Sequence, residues 1–166
     1  MRMQDDVLDG LAWMVDRKIA DPDRVCFVGG SYGGYVALVA AFKAPERLRC
    51  AVSFAGVSDL RDLKDHIRNF RLGELTLARI QEGRAMIENS PIHQVDRIGV
   101  PLLLVHGDRD RNVMIEQSRT FAGALKKAGK DYIYIEQPYG DHHLSIQRHR
   151  LQFFEAMDAF LAEHLR

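Results

Sequence analysis

Gly29-Gly30-Ser31-Tyr32-Gly33-Gly34 is the stretch that most limits what this chain can fold into. It follows an apolar run at residues 25–28 and precedes an alanine-rich stretch at 35–43, so it reads as a sharp strand-to-helix turn. A serine at the tip of such a turn takes a strained backbone conformation, and glycines beside it remove clashes that side chains would bring. Gly29-x-Ser31-x-Gly33 has the spacing of a nucleophile elbow. That turn lifts the Ser31 hydroxyl above the sheet and aims the Tyr32 backbone N–H at the oxyanion of acyl transfer. The helix N-terminus adds partial positive charge. The spacing suits neither a dinucleotide loop nor a Walker loop. A purely structural turn for tight helix–sheet packing is the plain alternative.

The rest of the chain predicts a parallel sheet. Val7, Leu8, Leu11, Met14, Val15 and Ile19 follow helical spacing before the turn signal Asp21-Pro22-Asp23. Four apolar runs, at 25–28, 50–55, 102–105 and 132–135, have strand length, and most lack polar alternation, as strands buried on both faces do. Helices are expected over 35–43, over 115–128 with Gly129 ending it, and from Leu151 to the C-terminus. Strand alternating with helix gives an α/β fold with parallel strands and right-handed crossovers. The connection 57–98 is longer and more charged than the others; 74–87 reads as helical and 59–71 as ambiguous. It either lines a site or makes a solvated excursion.

Composition narrows the partners. The 166 residues suit one domain, and 23 basic residues balance 23 acidic ones. Nothing therefore favours nucleic acid or an anionic membrane. No apolar run approaches the roughly 18 residues that span a bilayer. The compartment stays open, with the cytoplasm slightly favoured, because a signal could precede the sequence read here. Cys26 and Cys50 read as buried or half-buried thiols. No Cys/His cluster has zinc spacing, and neither a metal nor an organic cofactor is implied.

A serine nucleophile needs a base, and the base an orienting acid, in the chain order serine, acid, histidine for this kind of turn. Catalytic groups gather beyond the carboxyl ends of parallel strands, which confines the search to the loops after 102–105 and 132–135. In His106-Gly107-Asp108-Arg109-Asp110 two carboxylates compete. Asp108 suits a turn former; Asp110, further round the loop, is better placed to face the site and is favoured. His106 reads as a packed structural histidine. In Pro138-Tyr139-Gly140-Asp141-His142-His143 either histidine fits the base. His66 and His93 precede the acid, His149 falls on the last helix, and His164 is near the C-terminus.

These pieces together resemble the catalytic domain of the prolyl oligopeptidase family, particularly its acylaminoacyl-peptidase and dipeptidyl-peptidase branches. The resemblance rests on Gly30-Ser31-Tyr32-Gly33-Gly34-Tyr35, on Leu103-Leu104-Val105-His106-Gly107 with Asp110 and Val113, and on Asp141-His142. Gln4-Asp5-Asp6 leading into Asp21-Pro22-Asp23-Arg24-Val25 also matches. It implies a three-layer α/β-hydrolase fold, present in part as about four C-terminal strands with flanking helices over residues 1–166. The family's upstream strands and β-propeller would then lie outside this sequence. It implies a serine peptidase acting on oligopeptides, with Ser31 as nucleophile, Asp110 as acid, His142 as base and the Tyr32 N–H as oxyanion donor. Val57, Asn112 and Val113 fall where dipeptidyl-type relatives bind the residue before the cut bond. Those relatives carry tyrosines shortly after the Val57 position, where this chain has Leu63 and Ile67. A carboxylesterase of the same fold, or an inactive piece serving in assembly, is the alternative function. With no upstream strands beside it, the run 25–28 is expected to be an exposed apolar edge prone to self-association. The second oxyanion donor would also lie upstream, and losing one donor typically costs ~3 kcal/mol of transition-state stabilisation.

Overall fold

A computed structural model describes residues 2–68 and 83–166. Four strands, β1 (Cys26–Gly30), β2 (Cys50–Phe54), β3 (Leu102–Gly107) and β4 (Tyr132–Gln137), form one sheet in the order β1-β2-β3-β4. Every pairing is parallel. The helices are α1 (Arg2–Asp16), α2 (Tyr32–Lys43), α3 (Leu60–Ile67), α4 (Arg84–Asn89), α5 (Glu116–Lys127) and α6 (Gln147–His164).

The two faces of the sheet divide the apolar residues by strand periodicity. Ala51, Leu102 and Leu104 join Tyr35, Leu38, Val39, Phe42, Phe121 and Leu125 in the larger core under α2 and α5. Cys50, Val52, Phe54, Leu103 and Val105 point the other way, onto Phe153 and Phe160 of α6. β2 and β3 are buried along their whole length, which is why their sequences carry no polar alternation. Truncating a fully buried residue such as Leu103 to alanine costs about 2–5 kcal/mol.

Edges and ends depart from the sequence pattern. α1 stops at Asp16, short of Ile19. Lys18 turns left-handed at φ 58°, and the amides of Ile19 and Ala20 both bond the Met14 carbonyl, so Ile19 faces solvent. The ambiguous 59–71 stretch contains α3, whose N-terminus Asp59 caps by accepting the Arg61 N–H at 2.8 Å. Of the helix expected over 74–87, residues 74–82 lie outside the described residues, and α4 begins at Arg84.

The cysteines need a correction. They are not thiols: Cys26 and Cys50 form a disulfide across β1 and β2. Parallel register sets the two directly opposite each other, with Cα atoms 4.7 Å apart, within bridging range. Strand register is a property of the assembled sheet, and a spacing of 24 residues does not announce it.

Candidate active site

Ser31 sits between β1 and α2 with φ 56° and ψ −120°, a left-handed conformation that side-chain-bearing residues adopt only under constraint. The constraints are visible. The Ser31 N–H donates to the Phe54 carbonyl on β2 at 2.8 Å, and the Ser31 carbonyl accepts the Tyr35 N–H at 3.0 Å, opening α2. A Cβ on Gly29 would lie 2.3 Å from the Gly33 carbonyl carbon, so no larger residue fits without moving the turn. The Ser31 side chain does not cap α2. Tyr32 is the first residue of that helix, where backbone amides point outward along the axis. Behind it, buried Tyr35 donates its hydroxyl to the Asn89 carbonyl at 2.9 Å and anchors α2 to α4.

Two loops at the same, carboxyl end of the sheet carry the other charged groups. After β3, Asp110 turns inward and is 5% exposed. Its Oδ1 accepts the N–H groups of Asn112 at 2.8 Å and Val113 at 2.9 Å. Its Oδ2 lies 2.7 Å from His142 Nδ1 and 3.2 Å from His106 Nε2. Burial alone would push the carboxyl pKa up. The hydrogen bonds from His106, Val113, His142 and Asn112 outweigh it and hold the pKa at about 2. The competing carboxylate, Asp108, instead accepts the Tyr139 N–H at 2.5 Å and ties the two loops together.

His142 bonds Asp110, whereas His143 is exposed and meets His142 edge-on, ring centroids 5.5 Å apart. The loop that presents His142 is held at several points. Asp141 Oδ1 accepts the N–H groups of His143 and Ser145 at 3.1 and 3.0 Å. The Arg109 N–H donates to the Gly140 carbonyl at 2.8 Å, and the Asp108 N–H to the Gln137 carbonyl at 3.1 Å. The Arg109 guanidinium lies over the Tyr139 ring, 4.4 Å from its centre. A Cβ on Gly107 would sit 2.3 Å from the Gly140 carbonyl carbon, so the loops after β3 and β4 touch backbone to backbone.

Ser31 is not hydrogen-bonded to the Asp110–His142 pair; among the described residues its bonds are the two backbone ones above. Val57 and Val113 are 5% and 4% exposed and belong to the core, and Asn112 is exposed. The loop before α3 is clamped by Gln117 of α5, whose side-chain oxygen accepts the N–H groups of Ser58 and Asp59 at 2.8 and 2.7 Å. An open cleft of about 390 Å³ beside Asp110 is lined by His66, Arg109, Arg111 and Met114. Gly107 and Gly140 stand out in the sequence as loop residues, but nothing there signals that they touch or that Ser118 is buried beside His106. Among the described residues no group of three or more His, Cys, Asp or Glu is arranged to hold a metal ion.

Comparison with known proteins gives a consistent result. The chain is 30% identical over 173 residues to dipeptidyl peptidase family member 6 of Caenorhabditis elegans, covering 99% of this chain and 23% of that protein. It is 28% identical over 158 residues to a probable carboxylic ester hydrolase of Mycobacterium tuberculosis, covering 82% and 37%. The solved structure of a Mycobacterium tuberculosis puromycin-hydrolyzing peptidase superposes with a TM-score of 0.88 at 32% identity, covering 98% of this chain and 25% of that one. The chain thus spans about a quarter to a third of the length of such relatives, and its four parallel strands with flanking helices are part of an α/β-hydrolase fold. The pattern of the prolyl oligopeptidase family matches residues 2–166, and with a match of that extent the chain belongs to the prolyl oligopeptidase family.

Proposed function

We propose that this chain carries the acyl-transfer site of a serine peptidase, with Ser31 as nucleophile, His142 as general base and Asp110 as the orienting acid. The observation that carries the reading is the 2.7 Å hydrogen bond from His142 Nδ1 to buried Asp110, on the rim of the sheet where Ser31 is held in a strained turn. With Nδ1 donating to a carboxylate, the lone pair of a neutral His142 is on Nε2, the nitrogen that accepts a serine proton. Catalytic hydrogen bonds of free hydrolases are often long and tighten only on substrate, and the reading requires the same of Ser31 and His142.

The reaction runs in two steps. His142 takes the Ser31 proton as the oxygen attacks the peptide carbonyl, and the Tyr32 N–H stabilises the oxyanion. His142 then protonates the leaving amine, and water hydrolyses the acyl-enzyme by the same route. Asn112 faces solvent beside the site, and Val57 and Val113 support from the core the loops that would bind the residue before the cut bond. The fold does not set the substrate. Likeness to an ester hydrolase supports a second reading, a carboxylesterase using the same three residues.

An active-site phosphonate tests the site. Labelling at Ser31, abolished in Ser31→Ala and His142→Gln, is expected; unlabelled wild-type protein, or labelling that survives Ser31→Ala, would overturn it. Relative rates on a peptide anilide and a short acyl ester separate peptidase from esterase.

We propose in addition that β1 associates with β1 of a second copy. Among the described residues β1 is bonded only to β2, and Val28 on it is 47% exposed, the kind of edge that takes another strand. Val7 of α1 borders this edge. Light scattering is expected to show a dimer that Val28→Lys dissociates; a wild-type monomer would exclude it.

A further inference from the structure

His106 occupies the next-to-last position of β3 and is completely buried. Its Nδ1 lies 2.7 Å from the Ser118 hydroxyl of α5. Its Nε2 lies 3.0 Å from the Val113 carbonyl and 3.2 Å from Asp110 Oδ2. Both neighbours of Nε2 can only accept, so the proton must be on Nε2. Nδ1 is then the acceptor, and Ser118 donates to it. One tautomer satisfies every group, while the other would set a lone pair against a carbonyl and a carboxylate in the protein interior.

From this geometry we propose that His106 is a positioning residue for the acid of the site, its tautomer fixed by the two acceptors at Nε2 and Ser118 satisfying Nδ1. Asp110 is gripped on both oxygens: backbone amides hold Oδ1, and two imidazoles, His106 from β3 and His142 from the base loop, share Oδ2. His106 thereby sets the direction of Oδ2 and draws off part of the charge that Oδ2 presents to His142. A strand-end histidine that reads as inert packing thus brings a second N–H to Oδ2, one that it divides with the Val113 carbonyl. The inference rests on the proposed roles of Asp110 and His142.

The charged and titratable groups around the cluster are Arg109 and Arg111 of the acid loop and His66 of α3, which share a cleft with Asp110. Glu136 of β4 faces His106 in register, and His143 adjoins His142. None of them is altered by the variants below.

The test is an NMR titration of the His142 imidazole in the 166-residue chain, its resonance assigned by loss in His142→Gln. His106→Leu removes the donor and leaves Oδ2 to His142 alone, so the titration midpoint is expected to rise by roughly half a pH unit. His106→Gln keeps an N–H near the Nε2 position and is expected to restore the wild-type midpoint. An unchanged or lowered midpoint in His106→Leu, or the same displacement in both variants, overturns the proposal. Should His106→Leu fail to fold, His106→Met carries the test: it keeps an unbranched side chain of similar reach with no N–H donor and is expected to raise the midpoint by the same amount, and no rise overturns the proposal. The titration needs no turnover. Absent phosphonate labelling with a rescued midpoint shift would sink the proposed function alone; intact labelling with no shift would sink this inference alone.

Discussion

The turn at Ser31 and the loops that bear Asp110 and His142 are built in opposite ways. Ser31 owes its conformation mainly to its own neighbours: Gly29 and Gly33 approach within a distance that excludes a Cβ, and one bond to Phe54 completes the clamp. Asp110 and His142 owe theirs to residues 32 positions apart that meet because β3 and β4 are paired and parallel. The turn stores strain, whereas the Asp110–His142 pair stores charge in a buried hydrogen-bond network. A local device of the first kind is written in consecutive residues; one of the second kind exists only once the sheet is assembled.

Replacing the reactive groups gives the largest effects. In the intact arrangement Ser31→Ala is expected to lower hydrolysis by about 10⁶-fold and Asp110→Asn by about 10⁴-fold, measured as kcat/KM on a peptide anilide. Equal losses would erase the distinction between the two regions. The glycines test it more finely. Gly29→Ala and Gly107→Ala each force a Cβ into backbone 2.3 Å away, and each is expected to cost about 3 kcal/mol in urea unfolding. Their local outcomes should diverge: Gly29→Ala abolishes labelling of Ser31 and leaves the His142 titration in place, while Gly107→Ala displaces that titration.

Next in size is the charge held by the network. Asp110 titrates at about 2 in the folded protein against 3.8 for an ordinary aspartate. The folded state therefore binds the proton more weakly than the unfolded chain, and the stabilisation is fully present above about pH 4. It is lost as the pH falls toward 2, by about 2 kcal/mol in all. Unfolding free energies measured across that window should show the fall in the wild type and a correspondingly flatter profile in Asp110→Asn. Smallest is Asp108→Asn. Its side chain accepts one loop N–H, so less than about 1 kcal/mol of stability and little activity are expected to go with it. A loss as large as that of Asp110→Asn would reverse the assignment of the two carboxylates.

Much of the fold was legible in the residues. The four apolar runs became β1 to β4 with ends moved by one or two positions, since strands buried on both faces leave a continuous apolar signal. α5 ended where Gly129 turns left-handed at φ 64°. The end of α1 was misread because Ile19 continues the apolar spacing while its side chain faces solvent. At the site, the turn at Ser31 could be read outright. The choice of Asp110 over Asp108, and of His142 over His143, was narrowed by loop position and made only by resemblance. All four residues are polar loop residues, and the next amino acid carries no information about which one faces inward.

Consecutive residues were enough to determine the strand–turn–helix at Ser31, the alternation that makes a parallel sheet, and the loops that hold the charged groups, because each depends on short-range sterics and periodicity. Tertiary structure alone decided that Cys26 meets Cys50, that Gly107 lies against Gly140, and that two histidines share one oxygen of Asp110. Those facts depend on strand register and on which buried groups must find partners, and neither exists until separate parts of the chain pack together.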